Sequence, residues 1–437
     1  MNALLYLLGV LLFVIGLALS IGLHEFGHLI PGKIFDVKIT QYFIGFGKTV
    51  WSRRRGETEY GVKAIPLGGY VKLVGMMPPG PDDDPDTVQA RPTGMLAQVV
   101  HDARSIEYEH VGPQDADRLF YKLVWWKRIV IMGSGVAINI VIAFLLFAIV
   151  FMGYGTDKNT TTVATVSECV KVVRTGEDPG PCTAADPVTP AKKAGMLPGD
   201  RIVSFNGTSI SSYDQLTQLI RANAAGAATI EVERDGRIRT LQTDTVVNGL
   251  PSLDNPAKTI QAGFLGIKVG QARHREGLGY VVSTMGSGTW QTLKAIGALP
   301  QRVYHAGRAA IGLEHRSADS PMSVVGAGRV AGELVSDDGG SVTRGFFSVL
   351  LLLAGLNLFL GLLNLIPLPP FDGAGIATTL YELVRRRFAK LRGRPDPGAF
   401  DSAKLLPVTY VMASVLIVIS LVLVFADVLA PVNISNG

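Results

Sequence analysis

The sequence predicts a multi-pass α-helical membrane protein: four transmembrane helices, a small β-hairpin sheet on the cytoplasmic side and a compact β-rich module outside. Three observations carry that expectation. Four stretches, 3–23, 129–155, 345–371 and 405–426, contain no charged side chain, and each reaches the ~20 residues that cross ~30 Å of hydrocarbon. Charged residues make up only 18% of the 437 and the mean hydropathy is +0.30, whereas soluble domains run near ~25% charged. Between 160 and 270 the pattern changes to short β-type runs around one amphipathic helical stretch. The net charge of +5 is mild, and no basic block reads as a nucleic-acid patch.

Residues 1–40 hold the first span. It lacks a basic leading region, and its apolar core is longer than that of a signal peptide, so it is expected to be a retained helix. Residues 41–75 alternate and are punctuated by glycine; Gly-Glu-Thr at 56–58 reads as a hairpin turn, giving a small sheet dipping into the inner membrane face. Residues 76–126 form an insertion: a proline-rich polar stretch at 76–86, weak helical periodicity over 92–122, then Trp125, Trp126, Lys127 and Arg128 as an interfacial belt. The second span occupies 127–155. The β-rich module covers 160–270, with runs at 161–166, 201–205, 229–234, 239–243 and 265–269 and a helix at 212–222. Residues 271–344 return to helical patterning. The third span and its polar end fill 345–375, a basic loop 376–404, and the fourth span 405–428.

Orientation follows from the basic residues. Lys33, Lys38, Lys48, Arg53, Arg54 and Arg55 follow the first span, and Arg385, Arg386, Arg387, Lys390, Arg392, Arg394 and Lys404 lie between the third and fourth. The positive-inside rule places these loops in the cytoplasm, and both termini and residues 156–344 outside. Cys169 and Cys182, the two cysteines of the chain, fall in that outer segment, where a disulfide is permitted; two unpaired thiols are the alternative.

Residues 23–28 read LHEFGH. Ionisable groups are costly in a membrane helix and mark function there. Four residues apart on a helix, His24 and His28 project from one face and can share one zinc at ~2.0–2.1 Å. Glu25 lies ~100° round the helix, free to take a proton from a water that zinc has acidified towards pKa ~7. A catalytic zinc takes three protein ligands as a rule. The third span ends N-L-I-P-L-P-P-F-D-G at 364–373. Its prolines break the helix, and a broken helix at membrane depth lines a cavity or is buried. Asp372 is therefore the expected third ligand; a helix-end carboxylate facing the cytoplasm is the alternative. Asn364 either donates to a substrate carbonyl or makes an interhelical hydrogen bond.

On HEFGH at 24–28, GFG at 45–47, PLGGYVKL at 66–73 and NLIPLPPFDG at 364–373, the chain resembles the site-2 protease family of intramembrane zinc metalloproteases, in particular its bacterial sigma-factor-regulating members. The resemblance implies that Zn2+ is held by His24, His28 and Asp372, with Glu25 as the base. It implies that Gly45, Gly47, Gly68 and Gly69 belong to a membrane re-entrant β-loop that presents substrate as an added strand. Residues 190–210, PAKKAGMLPGDRIVSFNGTSI, resemble a PDZ domain, so one extracytoplasmic PDZ-like domain is expected. Departures are Phe371 where the family commonly has leucine, Ala374-Gly375 where a Gly-His pair often follows, and GSGVAIN at 133–139, which keeps Asn139 but lacks a usual proline.

The expectation is thus a multi-pass zinc endopeptidase of the cell membrane. By the resemblance, its substrate is a single-pass membrane protein such as an anti-sigma factor, already trimmed by an upstream site-1-type protease. Membrane lipid surrounds it and nucleic acid has no part. The rivals are a PDZ-bearing membrane adaptor with a vestigial metal site and a zinc hydrolase of lipids or small amides.

Overall fold

A computed structural model describes residues 3–78, 112–171, 181–183, 185–253, 258–317, 319–336 and 341–432. Most of the 76–118 insertion, with His101 and His110, lies outside the described residues. The chain divides into two units, one running to Tyr154 and resuming at Gly277, the other spanning Gly155–Glu276.

In the first unit, helix α1 (Ala3–Ile34) carries the first apolar stretch straight into the His–Glu–His motif. The uncharged stretch stops at residue 23, and the helix carries His24 and His28 beyond it. The helix continues because nothing helix-breaking intervenes, and hydrogen bonding lets polar side chains prolong an apolar helix. It ends past Pro31, where Asp36 turns the chain at φ 58°. Helix α2 (Trp125–Ala148) runs on through a wider turn, Ile149–Tyr154. Three helices follow the second unit: α3 (Leu278–Gly297), α4 (Leu299–Ala310) and α5 (Val324–Ser336). Helix α6 (Val342–Asn364) ends ahead of the proline run, because Pro367, Pro369 and Pro370 have no N–H to continue it. Helices α7 (Asp372–Leu391) and α8 (Leu406–Leu429) complete the unit. Among the described residues, four of its helical segments are long and apolar enough to cross a membrane: Ala3–Ile34, Trp125–Tyr154, Val342–Asn364 and Ser402–Leu429.

Small residues let these helices touch backbone to backbone, the usual device where lipid removes the hydrophobic drive. A Cβ added at Gly9 would lie 2.3 Å from the Ala331 carbonyl of α5, and one at Gly27 would lie 2.9 Å from the Ser134 carbonyl of α2. Between α1 and α6, fully buried Asn357 donates to Ser20 Oγ (2.9 Å) and to the Leu353 carbonyl (2.8 Å).

Strands β1 (Ile39–Arg55) and β2 (Thr58–Leu73) are joined at Gly56-Glu57. They are too long for a plain hairpin. Residues 49–55 pair antiparallel with 58–63, while residues 41–44 pair on one side with 59–62 in rising register and on the other with 69–72 in falling register. The two strands therefore fold into four rows, with 69–73 outermost on one side. Tyr42 Oη donates to the Gly22 carbonyl (2.8 Å), and Ile44 fills the space above Gly22, so the sheet is fastened to α1 two residues before His24. The turn is pinned by ions: Glu57 accepts from Arg118 and from Lys33, each at 2.8 Å. Hydrogen bonding from Arg118 outweighs desolvation and, with Lys33, holds the Glu57 carboxyl at about 2. Arg128 at the start of α2 donates to both carboxylate oxygens of buried Glu382 on α7 (3.0 and 2.8 Å).

The second unit is built on a twisted antiparallel sheet. Its strands lie in the order Ile267–His274, Thr156–Val166, Arg201–Phe205, Ala227–Arg234, Arg237–Asp244. The helix Tyr213–Ala222, capped by Ser212, covers a core of Ile202, Phe205, Leu216, Ile230, Val232 and Leu265. Asn206-Gly207 forms a tight turn with both residues at positive φ. The expected strand at 265–269 begins only at Ile267, after Gly266 turns at φ 87°. A second hairpin, Val246–Pro251 with Thr259–Phe264, was not anticipated from sequence. Cys169 and Cys182 are joined by a disulfide.

Candidate metal centre

The centre is assembled from α1, the end of α6 and the start of α7. On α1, the i,i+4 spacing stacks His24 and His28 with Nε2 atoms 3.3 Å apart. His28 Nδ1 lies 2.7 Å from the Ile131 carbonyl on α2. Bonded there, the ring carries its proton on Nδ1 and turns a bare Nε2 lone pair inward, the usual way an outer contact fixes a metal-binding tautomer.

After Asn364 the chain turns through the proline run and re-enters a helix at Asp372. Gly373 makes that reversal fit: a Cβ there would lie 2.4 Å from the carbonyls of both Leu365 and Ile366. Asp372 Oδ2 then stands 3.2 Å from His24 Nε2 and 3.3 Å from His28 Nε2. The three side chains are 12%, 7% and 20% exposed. Asp372 Oδ2 is buried with no hydrogen-bond partner. Three bare donor atoms thus face one point, an arrangement that costs free energy unless a cation fills it. Tetrahedral zinc with bonds of ~2.0–2.1 Å sets its ligand atoms ~3.3–3.4 Å apart. The observed edges, 3.3, 3.2 and 3.3 Å, fit that ion. Among the described residues, no other group of three His, Cys, Asp or Glu converges in this way. His305 is instead paired with Glu314 at 2.8 Å.

Glu25 sits beside this cluster against the outermost row of the hairpin sheet. A Cβ on Gly69 would lie 2.9 Å from Glu25 Cγ, so only glycine lets the strand pass so near. Asn364 Nδ2 is 3.5 Å from His24 Nε2. Gly45, Gly47 and Gly68 shape the sheet: all have positive φ, with Gly45 closing on the Ile65 carbonyl and Gly68 on the Phe46 ring.

Sequence reasoning missed Gly135. A Cβ there would lie 2.3 Å from His28 Nε2 and 2.8 Å from His24 Cε1. This glycine is what admits the two rings against α2. The signal was the run Gly133-Ser134-Gly135 inside an apolar span, small residues where helix backbones meet.

The family model described as Peptidase family M50 matches residues 12–395. The zinc metalloprotease Rip1 of Mycobacterium tuberculosis is 32% identical over 98% of this chain and 99% of its own length. Rip1 of Mycolicibacterium smegmatis is 32% identical over 98% of each. The metalloprotease MmpA of Caulobacter vibrioides is 27% identical over 86% of each chain. Relatives that are proteases along their whole length set aside the adaptor reading. The chain belongs to peptidase family M50, the site-2 proteases, which are zinc-dependent metalloproteases.

Proposed function

We propose that the chain is an intramembrane endopeptidase. It would hydrolyse a peptide bond within or near the membrane segment of a single-pass protein, of the anti-sigma-factor type, after an upstream protease has trimmed it. The observation that carries this reading is the convergence of His24, His28 and Asp372 within 4.8 Å of one another, with Glu25 between that cluster and a sheet edge.

His24, His28 and Asp372 would hold Zn2+, which polarises a scissile carbonyl and acidifies the attacking water. Glu25 takes a proton from that water as it attacks and delivers one to the leaving amine. Asn364 offers an amide donor to the carbonyl oxygen as it gains charge. A transmembrane helix hides its peptide bonds in its own hydrogen bonds, so it must unwind before attack. The row 69–73 is suited to hold the unwound stretch by strand addition, which makes β1 and β2 the membrane re-entrant element. Basic residues on the loops after α1 and α7 favour an orientation with this site towards the cytoplasm and the Gly155–Glu276 unit outside.

That unit has the character of a PDZ-like domain. Between the helix Tyr213–Ala222 and residues 263–269 lies a cleft of about 350 Å³, lined by Leu216, Ile220, Leu250 and Phe264. A cleft of this kind accepts an extended chain end and would exclude untrimmed substrate by size.

The test is cleavage of a reconstituted single-pass substrate, trimmed and untrimmed, by wild type and Glu25→Gln. Wild type is expected to cut only the trimmed form. The variant is expected to keep its zinc and its unfolding temperature and to cut neither. Proteolysis by Glu25→Gln would remove Glu25 from the base role.

A further inference from the structure

Beside the cytoplasmic end of α1 is a cleft of about 790 Å³ lined by Phe26, Leu29, Lys33, Arg55, Glu57, Tyr60 and Arg118. It is built in two levels. Phe26, Leu29 and Lys33 recur every three or four residues, so they share one face of α1, apolar first and basic at the end. That face also carries Ile30, and Phe26 and Ile30 are 42% and 41% exposed. Above the apolar wall the lining holds three cations and one carboxylate, Glu57; Arg118 also pairs with Asp36 at 2.9 Å and Asp115 at 3.5 Å, which leaves Arg55 as the surplus charge. Lys33 and Arg118 both spend donors on Glu57. Arg55 is exposed and has no ion-pair partner among the described residues.

The depth of the cleft in the membrane is marked independently. Phe35, two residues beyond Lys33, packs edge-on against Trp126 at 5.4 Å, and Lys127 lies over both rings. Trp125 and Trp126 stay 44% and 45% exposed. Half-exposed tryptophans beside lysine at the foot of two spanning helices mark the headgroup level. Apolar wall below and surplus positive charge above, at that level, match one kind of molecule.

We propose that this cleft binds an anionic phospholipid, its phosphate against Arg55, Lys33 and Arg118 and its acyl chain along Phe26, Leu29 and Ile30. Inorganic phosphate shares the headgroup chemistry but gains nothing from the apolar wall. The lipid has a mechanical consequence. Arg55 and Glu57 flank the turn between β1 and β2, and β2 ends in the row that passes Glu25. A lipid held at the turn ties the hairpin sheet to the membrane surface and steadies that row. This site does not depend on the identity of the substrate or on the roles proposed for His24, His28 and Asp372.

The experiment is native mass spectrometry of the full-length protein released from nanodiscs of equimolar phosphatidylglycerol and phosphatidylcholine. Arg55→Gln is the test variant and Arg387→Gln, an exposed arginine on α7, the control. Wild type should retain phosphatidylglycerol in preference to phosphatidylcholine. Arg55→Gln should retain about fivefold less, the effect of one basic residue near an anionic surface. Arg387→Gln should match wild type, and millimolar inorganic phosphate should not displace the lipid. Equal retention of the two lipids, unchanged retention in Arg55→Gln, an equal loss in Arg387→Gln, or displacement by phosphate would each overturn the assignment.

Discussion

Gly135→Ala adds one methyl group to the protein, at the place where α2 touches the cluster of His24, His28 and Asp372. Its Cβ would stand 2.3 Å from His28 Nε2, where ordinary van der Waals contact begins at 3.4 Å, so roughly an ångström must be found. The backbone of α2 cannot shift cheaply, since it packs so closely on Gly27 of α1 that a Cβ there would lie 2.9–3.0 Å from Ser134 and Gly135. The ring of His28 must swing instead, which breaks its 2.7 Å contact with the Ile131 carbonyl and turns Nε2 away from Asp372. Losing an outer contact of this kind lowers metal affinity by about 10- to 100-fold, or about 1.4–2.7 kcal/mol. Competition against a fluorescent zinc chelator in detergent measures it, with unfolding of the metal-free proteins as the control for folding. The expectation is a 10- to 100-fold weaker zinc complex with a much smaller change in the metal-free protein. Zinc affinity within twofold of wild type would refute the packing argument, because the cluster would then tolerate the methyl.

Glu57 makes a pH prediction. Its folded carboxyl is held at about 2, chiefly by Arg118, against an ordinary 4.5. A lowered value means the stabilisation is complete above about pH 4.5 and disappears as pH falls through about 2. Wild type should therefore lose its stability margin over Glu57→Gln between those limits in thermal unfolding, and parallel curves would count against the latch. Arg128→Met takes two charged hydrogen bonds from the Glu382 carboxylate, whose side chain is 2% exposed, and leaves it Arg386 at 3.1 Å and the Phe400 N–H at 3.0 Å; it should cost about 1.5–3 kcal/mol. Arg128→Met with Glu382→Leu should recover most of that in denaturant unfolding, and a double variant as unstable as the single would mean the pair is not the source. Reductant should raise the intact mass by two hydrogens through Cys169 and Cys182, and no change would rule out the bridge in solution.

Local chemistry was legible in the sequence. His24 and His28 share a face because of helical pitch alone, and the proline run after Asn364 announced the break that delivers Asp372. The Gly-Glu turn at 56–57, the Asn206-Gly207 turn and the Ser212-capped helix follow from rules spanning a few residues. What spans distance was not legible. The pairing of 41–44 with both 59–62 and 69–72 depends on bulges that no period-two pattern specifies. The hairpin Val246–Pro251 with Thr259–Phe264 is hidden because its strands carry glycine and proline, residues that weaken a strand signal. Gly135 reads as an unremarked small residue until the rings of another helix are placed against it.

The central claim is that two imidazoles and one carboxylate, from segments more than three hundred residues apart, hold a single zinc. X-ray absorption at the zinc edge of the purified protein tests it most directly. The account predicts one zinc per chain and a shell of nitrogen and oxygen alone at ~2.0–2.1 Å, with the outer-shell scattering of two imidazoles, and one fewer imidazole in His28→Ala. Sulfur in the shell, a different imidazole count, or a spectrum unchanged by His28→Ala and Asp372→Ala alike would contradict it.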